Sequence, residues 1–315
     1  MENQSRTRNS FIHQTKNSNI VLFGEVLADA FPDKTVLGGA PFNVARHLKA
    51  FGQTPVLISR LGDDALGHEV MDVITQSGME TLGIQCSQKY PTGRVQVKID
   101  GKTNHFEILP EQAYDYIHPA VVRMTTLSAS PSLVYFGTLA QRQPVSARAL
   151  KSMLRSTDAA KFLDINLRAP WYDEATIQYS LQYANIVKLN NEELDVLAKL
   201  LNLTSQEPAS RVTELIQRFD LEQIIVTCGE NGSWQIGKTG KKIEAKLKKP
   251  LANLVDTVGA GDGFAAVWIL GLQKRWSIAK TLERANTFAT AICAIRGAIP
   301  GSAAFYEPFI REWSS

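Results

Sequence analysis

The residues best placed to do chemistry lie at 256–264, in the order Asp-Thr-Val-Gly-Ala-Gly-Asp-Gly-Phe. This stretch follows a strand-like apolar run at 251–255 and opens an apolar helical pattern. Gly259 and Gly261 lack a Cβ, so the N–H groups and positive dipole end of the helix are able to meet an anion closely. Asp262 adds a carboxylate, which suits a base that takes a proton from an acceptor hydroxyl during phosphoryl transfer. From this stretch alone, a purely structural interpretation remains open, in which Asp262 caps the helix and the glycines only form a turn.

Three further predicted strands end in polar residues. These strands are 161–165, 186–189 and 224–227, and ligands of a doubly wound sheet bind beyond the carboxyl ends of its strands. Each polar group alone fits a cap or a turn, but convergence of all of them on one sheet edge with Asp262 predicts a ligand site. The residues concerned are Asp164, Asn166, Arg168, Asn190, Glu193, Thr227, Gly229 and Gly232.

A second polar set lies near the start of the chain. Gly38 and Gly39 are adjacent and expose backbone amides, while Asp29 and Asn43 offer a carboxylate and an amide. Polyhydroxylated ligands need this mixture of donors and acceptors. The sequence therefore predicts that this set binds a polyhydroxylated small molecule.

Strand-like and helical patterns alternate along almost the whole chain. Strands rich in Ile, Val and Leu with helices between them predict an α/β fold, a doubly wound and mostly parallel sheet with helices on both faces. The predicted strands are 19–23, 55–59, 133–136, 161–165, 186–189, 224–227 and 251–255. The predicted helices are 41–51, 66–76, 145–155, 174–183, 192–200, 208–219, 264–272 and 278–295.

One segment interrupts this alternation. Residues 93–99 and 103–108 alternate polar and apolar side chains around Asp100-Gly101, which predicts a hairpin with one solvated face. We expect a small β lid at about 93–110, inserted in a domain of residues 19–315. Its exposed edges are able to pair in a homodimer or to stay solvated in a monomer. A shorter hairpin is predicted around 237–242.

Composition excludes several classes of protein. The 315 residues are 44% hydrophobic and 21% charged, with a net charge of +3, which is too weak and diffuse to indicate nucleic acid or an anionic membrane as partner. Residues 1–18 are polar without an apolar segment, so a disordered tail is expected rather than a signal peptide. Three scattered cysteines in apolar surroundings (Cys86, Cys228 and Cys293) predict reduced core residues of a cytoplasmic protein.

Taken together, these motifs resemble the ribokinase-like (PfkB-type) carbohydrate kinases, from about residue 19 to residue 309. The glycine pair with Asn43 is similar to the N-terminal signature of that family, and 256–264 is similar to its C-terminal signature. Residues 39–45, 164–168 with Trp171, and 297–300 look most like fructokinases. Ribokinases usually carry Lys-Gly where this chain has Ala40-Pro41.

The resemblance implies a role for each matching residue. Asp262 would be the catalytic base, the amides of Gly259, Ala260 and Gly261 would form the anion hole, and Arg168 would lie near the transferring phosphate. The sugar contacts it implies are Asp29, Gly39 and Asn43, with Arg94 on the lid strand.

The resemblance also implies ATP, Mg²⁺ and, as a further option, K⁺. Asn190 and Glu193 match an Asn-x-x-Glu element that helps to position magnesium, partly through water. Nucleotide positions implied in the same way are Thr227, Gly229, Gly232 and Asn286. The implied monovalent-cation ligands are Asp256 and the carbonyls around Val258, Ile292, Ile295 and Gly297, although some members carry Ser where this chain has Gly301.

The activity that the resemblance implies is ATP-dependent phosphorylation of D-fructose to fructose 6-phosphate. A kinase for 2-keto-3-deoxygluconate is the nearest alternative, because Tyr90, Arg94 and Tyr114 are able to serve its carboxylate. A nucleoside kinase would need an aromatic slot for the base. A catalytically silent sugar sensor on the same fold is a further alternative, but a sensor has no need of the Asp262 base.

Overall fold

The computed structural model describes residues 19–31, 34–100, 103–247 and 254–314. The strands in these ranges are β1 Ile20–Phe23, β2 Leu27–Ala30, β3 Thr35–Gly38, β4 Pro55–Gly62, β5 Ile84–Ser87, β6 Gly93–Asp100, β7 Thr103–Ile108, β8 Leu133–Phe136, β9 Ala160–Asp164, β10 Ile186–Asn190, β11 Gln223–Thr227, β12 Ser233–Gly237 and β13 Lys242–Ala245. The helices are α1 Ala40–Ala50, α2 Ala65–Gln76, α3 Pro119–Ala129, α4 Pro144–Ser156, α5 Glu174–Tyr183, α6 Asn191–Leu200, α7 Pro208–Phe219, α8 Ala260–Lys274, α9 Ile278–Ile292 and α10 Glu307–Trp313. None of the helices in the described ranges is long and apolar enough to cross a membrane.

The main sheet has nine strands in the order β13-β12-β11-β10-β9-β8-β1-β4-β5. Its pairs are parallel from β11 to β5, and β12 and β13 add an antiparallel edge. The chain leaves β1 towards β4 and β5 on one side and later fills the other side from β8 outwards. This reversal makes a doubly wound sheet, so the predicted α/β fold is confirmed, and the carboxyl ends of the parallel strands share one edge.

The core consists of two apolar layers, one on each face of the sheet. Successive residues of β1 alternate between them: Val21 and Phe23 belong to one layer, and Ile20 and Leu22 to the other. All four are at most 1% exposed. Burial on both faces explains why the strands read as continuous apolar runs instead of alternating patterns.

The predicted hairpin forms the β6–β7 pair, with Val95 opposite Ile108. It belongs to a four-stranded sheet in the order β3-β2-β6-β7, which is the lid. The short strands β2 and β3 were not predicted, because four residues of mixed polarity carry little periodicity. Gly101 at the hairpin turn lies outside the described residues. The edges of the lid are β3 and β7, and pairing of two lids through them stays a prediction.

Two predicted elements near the C-terminus need correction. Residues 251–253 lie outside the described ranges, and residues 254 and 255 are not in a strand, so the strand at 251–255 was wrong there. Helix α9 ends at Ile292 and not at residue 295. Beyond Ile292 the N–H groups of Ala294 and Ile295 donate to carbonyls three residues back, both at 3.1 Å, so the chain tightens into turns. The Cys293 carbonyl accepts hydrogen bonds from the N–H groups of Val255 (2.9 Å) and Asp256 (3.2 Å). The predicted tail at 1–18 also lies outside the described residues.

The prediction that all three cysteines are core residues holds only for Cys293, which is buried. Cys86 is exposed because it lies on β5, the edge strand, where alternate side chains face solvent. Cys228 is half-buried, and it lines the cavity described below. All three are free thiols.

Candidate active site

The start of α8 forms a cradle of backbone amides. Gly259 has φ of +81°, and a Cβ there would lie 2.3 Å from the Cβ of Ala298, so no other residue fits without moving the chain. The Gly263 N–H donates the first helical bond to the Gly259 carbonyl at 2.8 Å. The N–H groups of Gly261 and Asp262 come before the donor of that first helical bond, so they point out of the helix start at the positive end of its dipole. The Ala260 amide donates to the Thr257 carbonyl at 3.3 Å, so of the three predicted anion-hole amides it is the one engaged by the turn.

Asp262 is held in place by α1. The Asn43 side-chain amide donates to the Asp262 Oδ2 at 2.8 Å, across 219 residues of sequence. Asn43 is itself buried, at 4% exposure. Burial raises the pKa of Asp262, and the hydrogen bond from Asn43 opposes that rise. The structure therefore brings a predicted sugar contact and the predicted base together, with the carboxylate oriented and its basicity increased.

Lys188 is a buried charged residue at the candidate site that the sequence reasoning missed. It lies on β10, buried, and its Nζ donates to both oxygens of Asp164 on β9, at 2.9 and 3.0 Å. A Cβ added to Gly261 would lie 3.5 Å from that Nζ, which places the ammonium at the amide cradle. Burial by itself lowers the pKa of Lys188, but Asp164 and Glu193 outweigh this, so the pKa is raised and the charge is kept. The sequence did contain a signal for this residue, which is a lysine inside an apolar predicted strand. Charged side chains are rarely buried unless they are paired.

Arg168 extends from the loop after β9. It is exposed, and its Nη1 donates to its neighbour, the Leu167 carbonyl, at 3.0 Å. Its positive charge acts on Asp262 and also on Asp29, which lies on β2 of the lid. Burial raises the pKa of Asp29 to about 6, while Arg168 partly offsets the rise. The Arg168 charge therefore reaches both the predicted base and the lid carboxylate, and among the described residues Arg168 has no ion-pair partner.

The lid register separates Arg94 from the other predicted sugar contacts. On β6, Arg94 pairs with Ala28, whereas Asp29 pairs with Val95. Partners in neighbouring strands point to the same face, so Arg94 lies on the face opposite to Asp29. Its charge acts instead on Asp64, the N-cap of α2. The structure does not bring Arg94 to Asn43 and Asp262.

A cavity of about 680 Å³ lies beside the amide cradle, at the carboxyl ends of β9, β10 and β11. Gly261 and Lys188 line the end next to the cradle. All six residues predicted to bind the nucleotide or magnesium line the same cavity: Asn190, Glu193, Thr227, Gly229, Gly232 and Asn286. Of the residues predicted to converge at this sheet edge, all but Arg168 and Asp262 line this cavity.

Asn190 and Glu193 form a capping box at the start of α6. The Asn190 side chain accepts from the Glu193 N–H, and the Glu193 Oε2 accepts from the Asn190 N–H, both at 2.8 Å. The Glu193 Oε1 accepts from the Leu167 N–H at 2.8 Å, which ties α6 to the loop that carries Arg168. The cap that the sequence left open as an alternative is thus realised. A carboxylate with both oxygens engaged suits contact with a metal through water, as the resemblance implied.

Asn286 lines the cavity, and hydrogen bonds fix its side chain. Its amide nitrogen donates to the Ala245 carbonyl at 2.9 Å, and its oxygen accepts from the Ser233 hydroxyl at 2.9 Å. Both ends of the amide are therefore occupied by β12 and β13. Asn286 shapes the cavity by holding this antiparallel edge against α9.

Asp256 connects the loop before α8 to the loop after α9 through hydrogen bonds. Its Oδ1 accepts from the Val258 N–H and its Oδ2 from the Gly297 N–H, each at 3.0 Å. Gly297 has φ of +81°, and the next residue, Ala298, packs on Gly259. Ile292 and Ile295 close the same turn, with the Ile295 N–H donating to the Ile292 carbonyl at 3.1 Å. The Asp256 carboxylate accepts one hydrogen bond on each oxygen, and a carboxylate oxygen is the type of ligand that a hard cation takes.

Comparison with known proteins identifies the family. The profile of the pfkB family carbohydrate kinases matches residues 9–304. The chain belongs to this family. This PfkB-family kinase is 26% identical over 310 residues to probable fructokinase-5 of Arabidopsis thaliana, covering 89% of this chain and 93% of the relative. It is 25% identical over 281 residues to the 5-dehydro-2-deoxygluconokinase of Clostridium botulinum, covering 85% of this chain and 81% of the relative.

A solved structure shares the fold. The fructokinase of Xylella fastidiosa with bound ATP superposes with a TM-score of 0.82 at 22% identity, covering 94% of this kinase and 99% of the neighbour. The family match shows that the chain is a carbohydrate kinase, and the likeness to solved structures shows that its fold is ribokinase-like.

Proposed function

We propose that this kinase transfers the γ-phosphoryl group of ATP to D-fructose and forms fructose 6-phosphate. The observation that carries the proposal is the Asn43–Asp262 hydrogen bond, which fixes a basic carboxylate next to the amide cradle and Lys188. A base, an anion cradle and a buried cation together suit phosphoryl transfer to a hydroxyl. The fructokinase names of its relatives and the likeness of 39–45 to fructokinases support the choice of sugar.

In the proposed reaction, ATP occupies the cavity along β10 and β11 with its terminal phosphate at the Gly261 amide. The sugar lies between the lid and Asp262, where Asp29 and Asn43 offer an acceptor and a donor. Asp262 takes the hydroxyl proton as the sugar oxygen attacks the γ-phosphorus and the bond to ADP breaks. Lys188, the cradle amides and Arg168 stabilise the charge on the transferring group, and they act most strongly in the transition state.

The residues present fit the two metal ions that the family implies. Mg²⁺, held near Asn190 and Glu193 through water, would neutralise charge on the ATP phosphates. K⁺ at Asp256 and the neighbouring carbonyls would add a positive charge behind the cradle.

Exchange of potassium tests the second of these sites. Replacing K⁺ with a large organic cation at equal ionic strength is expected to lower kcat several-fold, because the cradle loses a nearby positive charge. The measurement is the steady-state rate in each salt, with Asp256→Asn as the matched variant, which should respond much less to the exchange. An equal rate in both salts would show that no cation acts at this loop.

A substrate panel tests the sugar. Among fructose, ribose, 2-keto-3-deoxygluconate, 5-dehydro-2-deoxygluconate, fructose 1-phosphate and adenosine, fructose should give the highest kcat/KM, by tenfold or more (about 1.4 kcal/mol of transition-state discrimination). The reason is that Asp29 suits a neutral polyol and would repel a carboxylate or phosphate, and that Arg94 lies on the opposite face of the lid. Preference for either acidic sugar would mean that Arg168 serves the substrate carboxylate. Binding of sugar without any turnover would support the silent sensor instead.

A further inference from the structure

Three buried polar atoms at the base of the lid have no hydrogen-bond partner among the described residues. They are the Tyr114 hydroxyl, the Arg142 Nη1 and the Glu25 Oε2. Tyr114 is fully buried, the Arg142 side chain is 2% exposed and Glu25 is 4% exposed. A polar atom that is removed from water and left unpaired destabilises the fold, so three of them in one region call for a ligand or another explanation.

Two of these residues follow strands that lie next to the proposed ATP site in the main sheet. The cavity proposed for ATP lies at the carboxyl ends of β9, β10 and β11, and β8 and β1 come next in the sheet order. Glu25 lies just after β1, and Arg142 follows β8 through a short 3₁₀ helix, Leu139–Gln141. Because ligands of such sheets bind beyond the carboxyl ends of the strands, the same edge continues from the ATP site to these two side chains.

Tyr114 packs against the face of the lid that carries Asp29. Gly93, the first residue of β6, pairs with Leu27 of β2, and Asp29 is the next residue of β2 on the same face. A Cβ added to Gly93 would lie 2.8 Å from the Tyr114 Cε1 and 2.9 Å from the Leu27 Cβ. The tyrosine ring therefore fills the space of a side chain at Gly93. Since Cε1 is bonded to the carbon that bears the hydroxyl, it is the hydroxyl end of the ring that lies under the lid.

Arg142 links Tyr114 to the turn that carries Arg168. Its guanidinium carbon lies 5.0 Å from the centre of the Tyr114 ring and 4.5 Å from the centre of the Trp171 ring. The Trp171 N–H in turn donates to the Arg168 carbonyl at 2.7 Å. Tyr114 and Arg142 thus contact both the lid and the Arg168 turn, the two segments between which a sugar would be enclosed.

The charge of Arg142 is balanced by Asp115. The Arg142 Nε and Nη2 donate to the two Asp115 oxygens, each at 2.7 Å, which fixes the guanidinium and leaves the Nη1 as a free donor. Burial raises the pKa of Tyr114, so its hydroxyl keeps its proton and is a second donor. Glu25 interacts electrostatically with both residues and offers an acceptor in the same region. Donors beside a neutralised ion pair, with an acceptor nearby, suit the hydroxyl groups of a neutral sugar.

We propose that Tyr114 and Arg142 form a sugar subsite, in which the Tyr114 hydroxyl and the Arg142 Nη1 bind oxygen atoms at the end of the sugar remote from the transferred phosphoryl group. The proposal rests on the function proposed above, and it makes these two residues determinants of substrate specificity. Asp262 and the amide cradle act at the reacting end of the sugar, whereas Tyr114 and Arg142 contact the lid. Bound sugar pairs the donors that the empty protein leaves unpaired.

Tyr114→Phe removes one oxygen atom and keeps the ring, so it separates sugar binding from folding. The lost hydroxyl has no partner in the empty protein, and the melting temperature should therefore be equal or higher. The KM for fructose should rise about tenfold, because a hydrogen bond to the sugar is lost. The kcat should change less than about threefold, because that bond is made equally in the ground and transition states. A residue that only supports the fold would give the opposite pattern, a lower melting temperature with an unchanged KM.

The experiment measures kcat, KM and melting temperature for the wild type, Tyr114→Phe and Arg142→Lys. Tyr116→Phe is the matched control, since it removes a hydroxyl from the same segment that bonds the exposed Glu111 at 3.3 Å. The substrates are fructose, 1-deoxy-D-fructose and 2,5-anhydro-D-mannitol. Fructose receives the phosphoryl group at C6 in the proposed reaction, and each analogue lacks one oxygen at the remote end, at C1 or at C2.

The wild type and Tyr116→Phe should prefer fructose to at least one analogue by about tenfold in kcat/KM, and Tyr114→Phe should lose that preference. An unchanged KM for fructose in Tyr114→Phe would overturn the proposal. The same preference between fructose and the analogues in wild type and Tyr114→Phe would overturn it as well.

Two further comparisons keep the subsite separate from folding and from the proposed function. Arg142→Lys also loses the paired contact with Asp115, so if it melts at room temperature, Tyr114→Phe decides the matter. Fructose without ATP should raise the melting temperature of Tyr114→Phe less than that of the wild type, which reports sugar binding without turnover. A wild type that does not phosphorylate fructose would contradict the proposed function, and the KM comparison is then made with the sugar that it does phosphorylate. An active wild type whose sugar binding is unaffected by Tyr114→Phe would contradict only the subsite.

Discussion

Asp262→Asn is expected to lower kcat by about 10²- to 10⁴-fold while sugar and ATP still bind. Asparagine is nearly isosteric with aspartate, and Asn43 lies within hydrogen-bond distance of that side chain, so the local geometry should survive. What is lost is the acceptor for the hydroxyl proton. The raised pKa of Asp262 increases the expected effect, because the carboxylate that is removed is a stronger base than an exposed one.

Steady-state rates and calorimetric binding of sugar and ATP check this prediction. Asp72→Asn on α2 is the matched control, since it makes the same chemical change at an exposed position. A variant that keeps more than about a tenth of the wild-type kcat would remove Asp262 from its role as base. A large loss of sugar affinity with little loss of kcat would make it a substrate contact instead.

Gly261→Ala is expected to lower kcat by about 10²-fold without loss of stability. The new methyl group would lie 3.5 Å from the Lys188 Nζ, an ordinary van der Waals distance, so the empty protein has room for it. It would, however, fill the space in which the transferring phosphate meets the ammonium and the helix amides. Alanine also favours the helical conformation over glycine by about 0.5 to 1 kcal/mol, so the melting temperature should be equal or higher.

The measurements that check the Gly261 prediction are thermal unfolding, sugar binding and kcat. Sugar affinity should change little, because the methyl group faces Lys188 and not the proposed sugar contacts Asp29 and Asn43. Gly259→Ala is the informative comparison, since its Cβ would overlap Ala298 and should destabilise the fold as well as the activity. A Gly261→Ala enzyme with full kcat would show that the phosphate does not approach this turn.

Local features of the sequence were enough to predict the α/β class, most element bounds and the amide cradle. The apolar runs at 133–136 and 186–189 reappear as β8 and β10 almost residue for residue. A continuous apolar run indicates a strand that is buried on both faces of its sheet. A pair of glycines at a helix start indicates that another group approaches the backbone closely. Both features can be read from residues that are adjacent in the sequence. The four-residue strands β2 and β3 were missed since so short a stretch carries no measurable period.

The long-range contacts of the site required the tertiary structure. The Asn43–Asp262 bond joins residues 219 positions apart, and the pairing of Lys188 with Asp164 depends on which strands are neighbours and on their register. The register of the lid likewise turned Arg94 away from Asp29. The sequence by itself determined which chemical groups this kinase carries and which end of the sheet holds most of them. Only the folded chain decided which groups face one another, because sheet order, register and burial arise from contacts between distant segments, and these set both the distances and the pKa values of the charged side chains.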